Sequence, residues 1–167
     1  MYDPGKSVMT SGVSVMNRGS NTWRDASLFV LRLAVGATFI VHGYPKLFPS
    51  GTAGFAGFLQ NLGFPIPGIF AWIVSIVEFF GGMAMILGLL VRYVGALMTI
   101  EMVVTSTKVK MAHGTGFVGA RGAGWELDFL LLAIALALLL AGAGAFSLDA
   151  VLWDRRAPGS TRPSQAV

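Results

Sequence analysis

The sequence predicts an all-α membrane protein, an antiparallel bundle of four transmembrane helices with a short interfacial helix between the first two spans. Three observations lead to this fold class. Of the 167 residues, 54% are hydrophobic and only 12% are charged, about half the charged fraction of a soluble domain. The apolar residues gather in long segments, and the cations mostly border those segments. We therefore expect one compact domain whose solvent is lipid.

The first span is predicted from Ala26 to Gly43. The next apolar stretch, Gly68 to Ile100, is too long for one crossing. A helix of that length would reach about 50 Å, against a hydrocarbon core of about 30 Å. We therefore expect a turn within Leu87–Arg92. It would separate a second span that ends near Leu90 from a third over Tyr93–Thr107.

The fourth span is predicted over Leu127–Phe146, with one charge, Asp128, near its start. Along it, alanines recur at every fourth position: Ala133, Ala137, Ala141 and Ala145. This spacing lets a neighbouring helix approach closely. Packing inside the monomer is the favoured interpretation, and a homo-oligomer interface is the alternative. All four spans are expected to be helical because backbone polar groups in lipid must be bonded within their own segment.

Between spans one and two, one apolar stripe predicts a short interfacial helix over Phe55–Leu62. Residues 1–25 and 154–167 are rich in small and polar residues and are predicted to be flexible tails, which leaves 26–153 as the membrane domain. Asp149, in the segment after the fourth span, is expected to form a turn or a cap at the inner surface.

Cations that flank the spans predict the orientation. With the N-terminus inside, seven cations lie on the inner side and four on the outer side. The inner set is Lys6, Arg18, Arg24, Arg92, Arg155, Arg156 and Arg162, and the outer set is Lys46, Lys108, Lys110 and Arg121. Because inner loops carry an excess of Lys and Arg, we expect a multi-pass protein of the cell inner (plasma) membrane with both termini in the cytoplasm.

Charges inside the spans predict a buried ion network. Helical rise places Arg32 nearest the inner side, then Glu101, then Glu78. Carboxylates in lipid cost several kcal/mol unless they are paired or protonated, so Arg32 is expected to pair with Glu101 or Glu78. Two interpretations stay open. The network could only fix the helix register, or it could belong to a functional site.

The functional interpretation is a protonatable pocket that opens outward. His42, Lys46 and Glu78 are predicted to line it, with Trp125 and Glu126 at its rim. An imidazole and an ammonium group could meet the carbonyls of a quinone head group. Haem is disfavoured because the other histidine, His113, lies in the loop after the third span.

Cysteine is absent from the sequence, which excludes thiol relays, disulfides, cysteine-ligated iron–sulfur clusters and cysteine-based zinc sites from this chain. No metal site is predicted. The cations are scattered rather than clustered, which disfavours nucleic acid as a partner. The expected partners are the lipid bilayer and other proteins of a membrane complex.

Several motifs, in order, resemble those of the DoxX family of small four-span membrane proteins, over about Leu28 to Leu152. They are Leu31-Arg-Leu-Ala34, His42-Gly-Tyr-Pro-Lys46-Leu-Phe, Phe55-Ala-Gly-Phe58 with Leu62-Gly63, Glu78 with Gly81-Gly82, Gly88-Leu-Leu-Val-Arg92, Gly124-Trp-Glu126 and Ser147-Leu-Asp149. By resemblance, recurrent polar positions of the family fall on Arg32, His42, Lys46, Glu78 and Glu126. Glu101 is less typical of the family pattern.

The resemblance implies links to thiosulfate:quinone oxidoreductase subunits, to a membrane oxidoreductase assembly with superoxide dismutase and a sulfurtransferase, and to respiratory accessory roles. Two function classes follow. The first is a quinone-linked oxidoreductase subunit with no self-contained redox centre, and the alternative is a non-catalytic membrane anchor or scaffold. A small-solute transporter is a weaker third hypothesis, since four spans make only a small pore.

Overall fold

The structure is a computed structural model that describes residues 8–48, 51–119, 122 and 124–154, with side chains from Thr22 to Leu152. These residues form helices and turns and no strand, which confirms the all-helical prediction. The α-helical elements are α1 (Val8–Leu47), α2 (Gly51–Asn61), α3 (Pro67–Leu87), α4 (Val91–Val104), α5 (Glu126–Ala141) and α6 (Leu148–Asp154).

Two helical segments of the described chain, Thr22–Leu47 and Pro67–Leu87, are long and apolar enough to cross a membrane. The outer surface of the helices is apolar as well. Val41 and Leu140 are each 69% exposed and Ile100 is 61% exposed. A soluble protein would bury most of such a continuous apolar surface, so this surface fits a lipid environment.

Two π-helical turns, one within α3 and one directly after α4, were not predicted from the sequence. Within α3 the turn covers Val77–Gly81. α4 is continued by a second π-helical turn, Thr105–Lys110, and by a 3₁₀ turn, Met111–His113. A π-helical turn bonds i to i+5 and so holds one more residue than an α-helical turn, and such turns are frequent at functional sites. Glu78 and Lys110 lie in these turns.

The helices pack in two close pairs. α1 lies against α3, where a Cβ added to Gly36 would lie 2.7 Å from the carbonyl oxygen of Gly82, and one added to Gly82 would lie 2.8 Å from that of Gly36. α4 lies against α5, where a Cβ on Gly95 would lie 3.1 Å from the Ala135 carbonyl oxygen. Glycine at these positions lets the backbones approach as no larger residue would.

A buried apolar core joins the two pairs. Its fully buried members come from α1, α3, α4 and α5: Val35, Met85, Val91, Met98, Ala135 and Leu138. α5 supplies Ala135 and Leu138 to this core, one helical turn apart. The core therefore uses one stripe of each helix and leaves the opposite stripe exposed.

The predicted turn between the second and third spans is confirmed. α3 ends at Leu87, Gly88 adopts a φ of 71°, and α4 begins at Val91. The carboxylate of Asp149 accepts hydrogen bonds from the backbone N–H groups of Leu90 (2.8 Å) and Val91 (3.0 Å). Asp149 is therefore a capping residue, as predicted, although the helix that it caps is α4 rather than its own.

The helix of the predicted fourth span, α5, is shorter than predicted. α5 ends at Ala141, whereas the hydrophobic pattern predicted a helix through Phe146. Gly142 and Gly144 have φ values of 83° and 74°, in the left-handed region that glycine tolerates. These two residues end the helix within a sequence that hydrophobicity alone would continue.

The predicted packing of the alanine stripe inside the monomer is wrong. Ala133, Ala137, Ala141 and Ala145 are all exposed. The buried side of α5 holds Asp128, Leu131, Ala135 and Leu138 instead, a different stripe of the same helix, so the alanine stripe faces away from the core. The homo-oligomer alternative stays a prediction.

Arg32 does not join Glu78 or Glu101, which corrects the predicted ion network. The side chain is fully buried, and its guanidinium donates to the carbonyl oxygen of Phe146. The nearby charge that acts on it is Asp149. The physical reason is the early end of α5, since the irregular segment that follows leaves the Phe146 carbonyl without a helical partner.

α2 confirms that a helix lies between the first two spans, and it covers most of the predicted Phe55–Leu62 segment. Its place at the membrane interface stays a prediction. α1 begins at Val8, within the predicted N-terminal tail of residues 1–25. The flexibility of both tails stays a prediction, and residues 1–7 and 155–167 lie outside the described part of the chain.

Candidate functional site

A cavity of about 290 Å³ lies between the two helix pairs. Its polar lining comes from α1, α3, α5 and the extension of α4: Thr38, His42, Lys46, Glu78, Thr105, Lys110 and Asp128. Its apolar lining is Phe39, Met102, Leu127 and Leu131. The combination of an apolar wall with a few convergent polar groups is typical of small-molecule sites.

The first ion pair in the cavity joins α1 to α3. The ammonium group of Lys46 contacts the carboxylate of Glu78. The same ammonium lies 4.5 Å from the ring centre of Phe55 on α2, a cation–π distance. Thr52 of α2 also donates a hydrogen bond of 2.9 Å to the Lys46 carbonyl oxygen. α2 therefore covers this side of the site and restricts the position of Lys46.

The π-helical turn in α3 determines where Glu78 lies. Glu78 is 4% exposed and belongs to the Val77–Gly81 turn. On the facing helix, Gly43 allows close contact, since a Cβ there would lie 2.6 Å from the backbone nitrogen of Phe79. This approach of α1 to the turn brings Glu78 within reach of Lys46, one helical turn beyond Gly43 on α1.

A second ion pair faces the cavity from the other helix pair. Lys110 Nζ lies 2.8 Å from Asp128 Oδ1 and donates another hydrogen bond of 2.8 Å to the Gly124 carbonyl oxygen. Asp128 is 4% exposed. The sequence pattern did not predict this pair. A usable signal was present, because Asp128, Leu131 and Ala135 fall on the buried stripe of one helix.

His42 lines the cavity, and one of its two ring nitrogens is already hydrogen-bonded. Its Nδ1 lies 2.9 Å from the Thr38 carbonyl oxygen. A carbonyl only accepts, so Nδ1 carries the hydrogen and Nε2 is the nitrogen left for a ligand. In the neutral ring Nε2 accepts, and only the protonated ring can donate there. The predicted imidazole N–H donor therefore requires a protonated His42.

Glu101 lies beside the first ion pair without lining the cavity. Its carboxyl group feels the charges of Glu78 and Lys46. Each of the two glutamates also has one buried carboxyl oxygen without a hydrogen-bond partner among the described residues. Arg32, which was predicted to pair with one of the two glutamates, lies elsewhere.

Trp125 and Glu126 do not line the cavity. Glu126 Oε1 accepts a hydrogen bond of 3.2 Å from the backbone N–H of Gly124. Trp125 packs edge-to-face on Phe117, with ring centres 4.5 Å apart. From the start of α5 the lining residues are Leu127 and Asp128, which follow directly. The polar group that α5 gives to the cavity is therefore Asp128.

The arrangement offers two cations, each partly neutralised, and a histidine that can exchange a proton. Lys110 uses two of its three N–H donors in the contacts above, which leaves one donor for a ligand. A neutral molecule with carbonyl oxygens fits such a site better than an ion does, because the two carboxylates already balance the two ammonium groups.

The comparison with protein families covers the part of the chain that holds most of the polar residues of the cavity. The DoxX family model matches residues 27–113, which hold His42, Lys46, Glu78 and Lys110. Asp128 lies outside the matched range. No solved structure matches the chain.

Two relatives cover most of the chain. "Putative oxidoreductase CatD" of Bacillus subtilis (strain 168) is 29% identical over 136 residues, which are 81% of this chain and 94% of that protein. "Uncharacterized membrane protein Rv3486" of Mycobacterium tuberculosis (strain ATCC 25618 / H37Rv) is 31% identical over 137 residues, which are 77% of this chain and 83% of that protein. The family model matches more than half of the sequence, and the two relatives are matched over 94% and 83% of their own length. The chain therefore belongs to the DoxX family.

Proposed function

We propose that this protein is the membrane subunit of a quinone-linked oxidoreductase, and that the cavity between the helix pairs binds the quinone head group. The observation that carries the proposal is the cavity itself, in which an apolar wall faces two lysines and a histidine. The name of the relative CatD, which includes the word oxidoreductase, supports the same class.

In this proposal the four long helical segments cross the inner (plasma) membrane in antiparallel order, with both termini in the cytoplasm. The contacts at the ends of α4 and α5 support the order. Lys110, beyond the end of α4, pairs with Asp128 at the start of α5. Arg92, at the start of α4, lies beside Gly142 at the end of α5. The cavity then opens toward the outer side.

The size and donors of the cavity suit a quinone ring. A volume of about 290 Å³ is at the small end of ligand pockets, so it would hold the ring and leave the isoprenoid tail in lipid. Lys110 and Lys46 would donate to the ring carbonyls, and Phe39 and Leu131 would pack against its apolar parts. A bound quinone would supply the electron-accepting chemistry.

The chain itself positions the ring and handles protons. His42 can hold a proton at Nε2 that faces the cavity, while its Nδ1–H bond to Thr38 fixes the ring plane. Glu78, buried at the cavity wall, keeps the Lys46 ammonium in place. Because the sequence has no cysteine, a thiol relay or cysteine-ligated cluster that delivers electrons would belong to a partner protein.

The test is quinone affinity in nanodiscs for the wild type and the His42→Ala and Glu78→Gln variants. We expect each variant to weaken binding by roughly tenfold, the equivalent of one lost hydrogen bond of about 1.4 kcal/mol. His113→Ala is the matched control. That ring makes the same backbone bond, Nδ1 to the Val109 carbonyl oxygen at 2.8 Å, and it does not line the cavity.

A second function, a non-catalytic anchor or scaffold that recruits enzymes to the membrane, is favoured by one observation. Both cavity lysines are already paired with carboxylates, so the polar groups could serve only to hold the helices together. No quinone binding by the wild type, or an affinity that neither variant changes, would replace the oxidoreductase proposal with this one.

A further inference from the structure

A second cavity, of about 410 Å³, lies at the end of the bundle opposite the candidate site. It is lined by the start of α4, the end of α5, the irregular segment after α5 and the start of α6. The candidate site uses the other ends of the same helices, through Lys110 beyond α4 and Asp128 at the start of α5. The two cavities share no lining residue, so the second one is a separate feature.

Arg92 is the cation of the second cavity, and no acid of the described residues neutralises it. The ion pairs among the described residues use Lys46 and Lys110 instead, and the Arg92 guanidinium has no hydrogen-bond acceptor within that part of the chain. The acid in the lining is Asp149, whose two carboxylate oxygens already accept backbone N–H groups at the start of α4. The N–H donors of Arg92 are therefore available to a ligand.

Gly142 determines where the guanidinium lies. A Cβ added at this position would lie 3.2 Å from Arg92 Nε and 3.6 Å from Arg92 Nη2. The guanidinium therefore rests against bare backbone at the end of α5, where a side chain would press on it. The φ of Gly142 is 83°, so the residue that ends α5 also makes room for the arginine.

The second cavity lies where a bilayer surface is expected. α3 is long and apolar enough to cross a membrane, and it ends at Leu87, shortly before Arg92. Cations and tyrosines that directly follow a span lie at the level of the lipid headgroups. Tyr93 is 72% exposed, and Leu90 is exposed as well. Apolar surface that could contact acyl chains therefore adjoins the guanidinium.

This combination favours a phosphate group that brings no cation of its own. A guanidinium binds phosphate through two parallel N–H···O bonds. The headgroup of an anionic phospholipid brings the phosphate charge alone, whereas a zwitterionic headgroup also brings an ammonium group, which the charge of Arg92 would repel. The volume is in the lower part of the range for ligand pockets, so it would hold a headgroup and leave the acyl chains on the exposed helix surface.

We propose that the second cavity binds an anionic phospholipid, with the phosphate held by Arg92 and the acyl chains in contact with Leu90 and Tyr93. In the orientation proposed above, the site faces the cytoplasmic leaflet, which carries anionic lipids, and basic pockets on that side bind such headgroups. The site goes beyond the proposed function and does not rest on it, because none of its residues lines the quinone cavity.

Lipid binding to the full chain in a neutral detergent tests the site, with phosphatidylglycerol as the anionic probe and phosphatidylcholine as the zwitterionic one. Native mass spectrometry measures both dissociation constants. We expect the wild type to prefer phosphatidylglycerol, and Arg92→Met to weaken that binding by about tenfold, because charged hydrogen bonds to the phosphate are lost. Arg24→Met is the matched control. Arg24 is also exposed and does not line the cavity, and its neighbour Asp25 lies beside Gly144, at the same end of the bundle.

A wild type without a preference for phosphatidylglycerol overturns the proposal, whether or not the variants fold. Equal losses in Arg92→Met and Arg24→Met also overturn it, because the attraction is then a general effect of charge. Arg92→Lys keeps the charge but cannot form two parallel bonds, so it should bind phosphatidylglycerol more weakly than the wild type does, and unchanged affinity would contradict the role of the guanidinium. Millimolar inorganic phosphate should leave the lipid bound. Displacement of the lipid would assign the cavity to free phosphate and overturn the lipid site.

Discussion

The crossing of α1 and α3 provides a sharp test of the packing, through two adjacent glycines. A Cβ on Gly82 would lie 2.8 Å from the Gly36 carbonyl oxygen and 2.8 Å from Ile40 Cγ1. Close carbon–oxygen contacts in proteins need about 3.3 Å, so Gly82→Ala must push the two helices apart by about 0.5 Å. A Cβ on Gly81 would meet only side-chain atoms, the nearest at 3.4 Å from Val94, which is an ordinary contact.

Both changes gain the same helix propensity, up to about 1 kcal/mol, so their difference isolates the packing cost. Forcing an extra carbon into a packed site costs about 1–3 kcal/mol. We expect Gly82→Ala to unfold more easily than Gly81→Ala by about that amount. The assay is equilibrium unfolding in mixed detergent micelles followed by circular dichroism. Equal stability of the two variants, or a more stable Gly82→Ala, would refute the close crossing of α1 and α3.

Three further predictions concern the ends of the helices. Asp149→Ala should lower the free energy of unfolding by about 2–3 kcal/mol, because two backbone N–H groups at the start of α4 lose a charged acceptor, and Asp149→Asn should recover part of this loss in the same assay. Lys110→Met should lower the free energy of unfolding by about 3 kcal/mol, because it leaves buried Asp128 unpaired. A double variant that also carries Asp128→Leu should be more stable than Lys110→Met alone. If the double variant recovers no stability, the pair contributes little. A Lys108→Cys variant, in a chain with no other cysteine, should react with an impermeant thiol reagent added outside intact cells; reaction from the cytoplasmic side alone would reverse the proposed topology.

The helical fold and the turn between α3 and α4 could be predicted from the sequence because lipid simplifies the pattern. In a bilayer a long apolar segment must be helical, and its length sets the number of crossings. Gly88 and Arg92 therefore marked the turn without any knowledge of the tertiary contacts. The DoxX motifs were recognisable for a related reason, since polar and glycine residues stand out against an apolar background.

The π-helical turns could not be predicted, because the residues in Val77–Gly81 and Thr105–Lys110 are compatible with ordinary α-helix. Their one-residue insertions turn later side chains to a new direction. Depth along a helix axis, which the sequence analysis used, contains no such information. It grouped Glu78 and Glu101 with Arg32, which contacts the Phe146 carbonyl instead.

The missed pair of Lys110 and Asp128 shows a different limit. Both residues lie near the ends of helices, where a charge is usually solvated, and hydropathy patterns carry little weight there. The distinguishing feature is burial, since Asp128 is 4% exposed and so needs a partner. That burial follows from the stripe on which Asp128 lies, which continues through Leu131 and Ala135 into the core.

The two ion pairs explain how a small cavity can persist between packed helices. Lys46 with Glu78 joins α1 to α3, and Lys110 with Asp128 joins the extension of α4 to α5, so each pair stays inside one of the two close helix pairs. The cavity lies at the seam between those pairs, where no ion pair of the described residues crosses it. A ligand can therefore separate the seam slightly without breaking either ion pair. Entry of a ligand therefore need not break an ion pair, and the ring of a neutral ligand would replace the apolar contacts that it displaces at the seam.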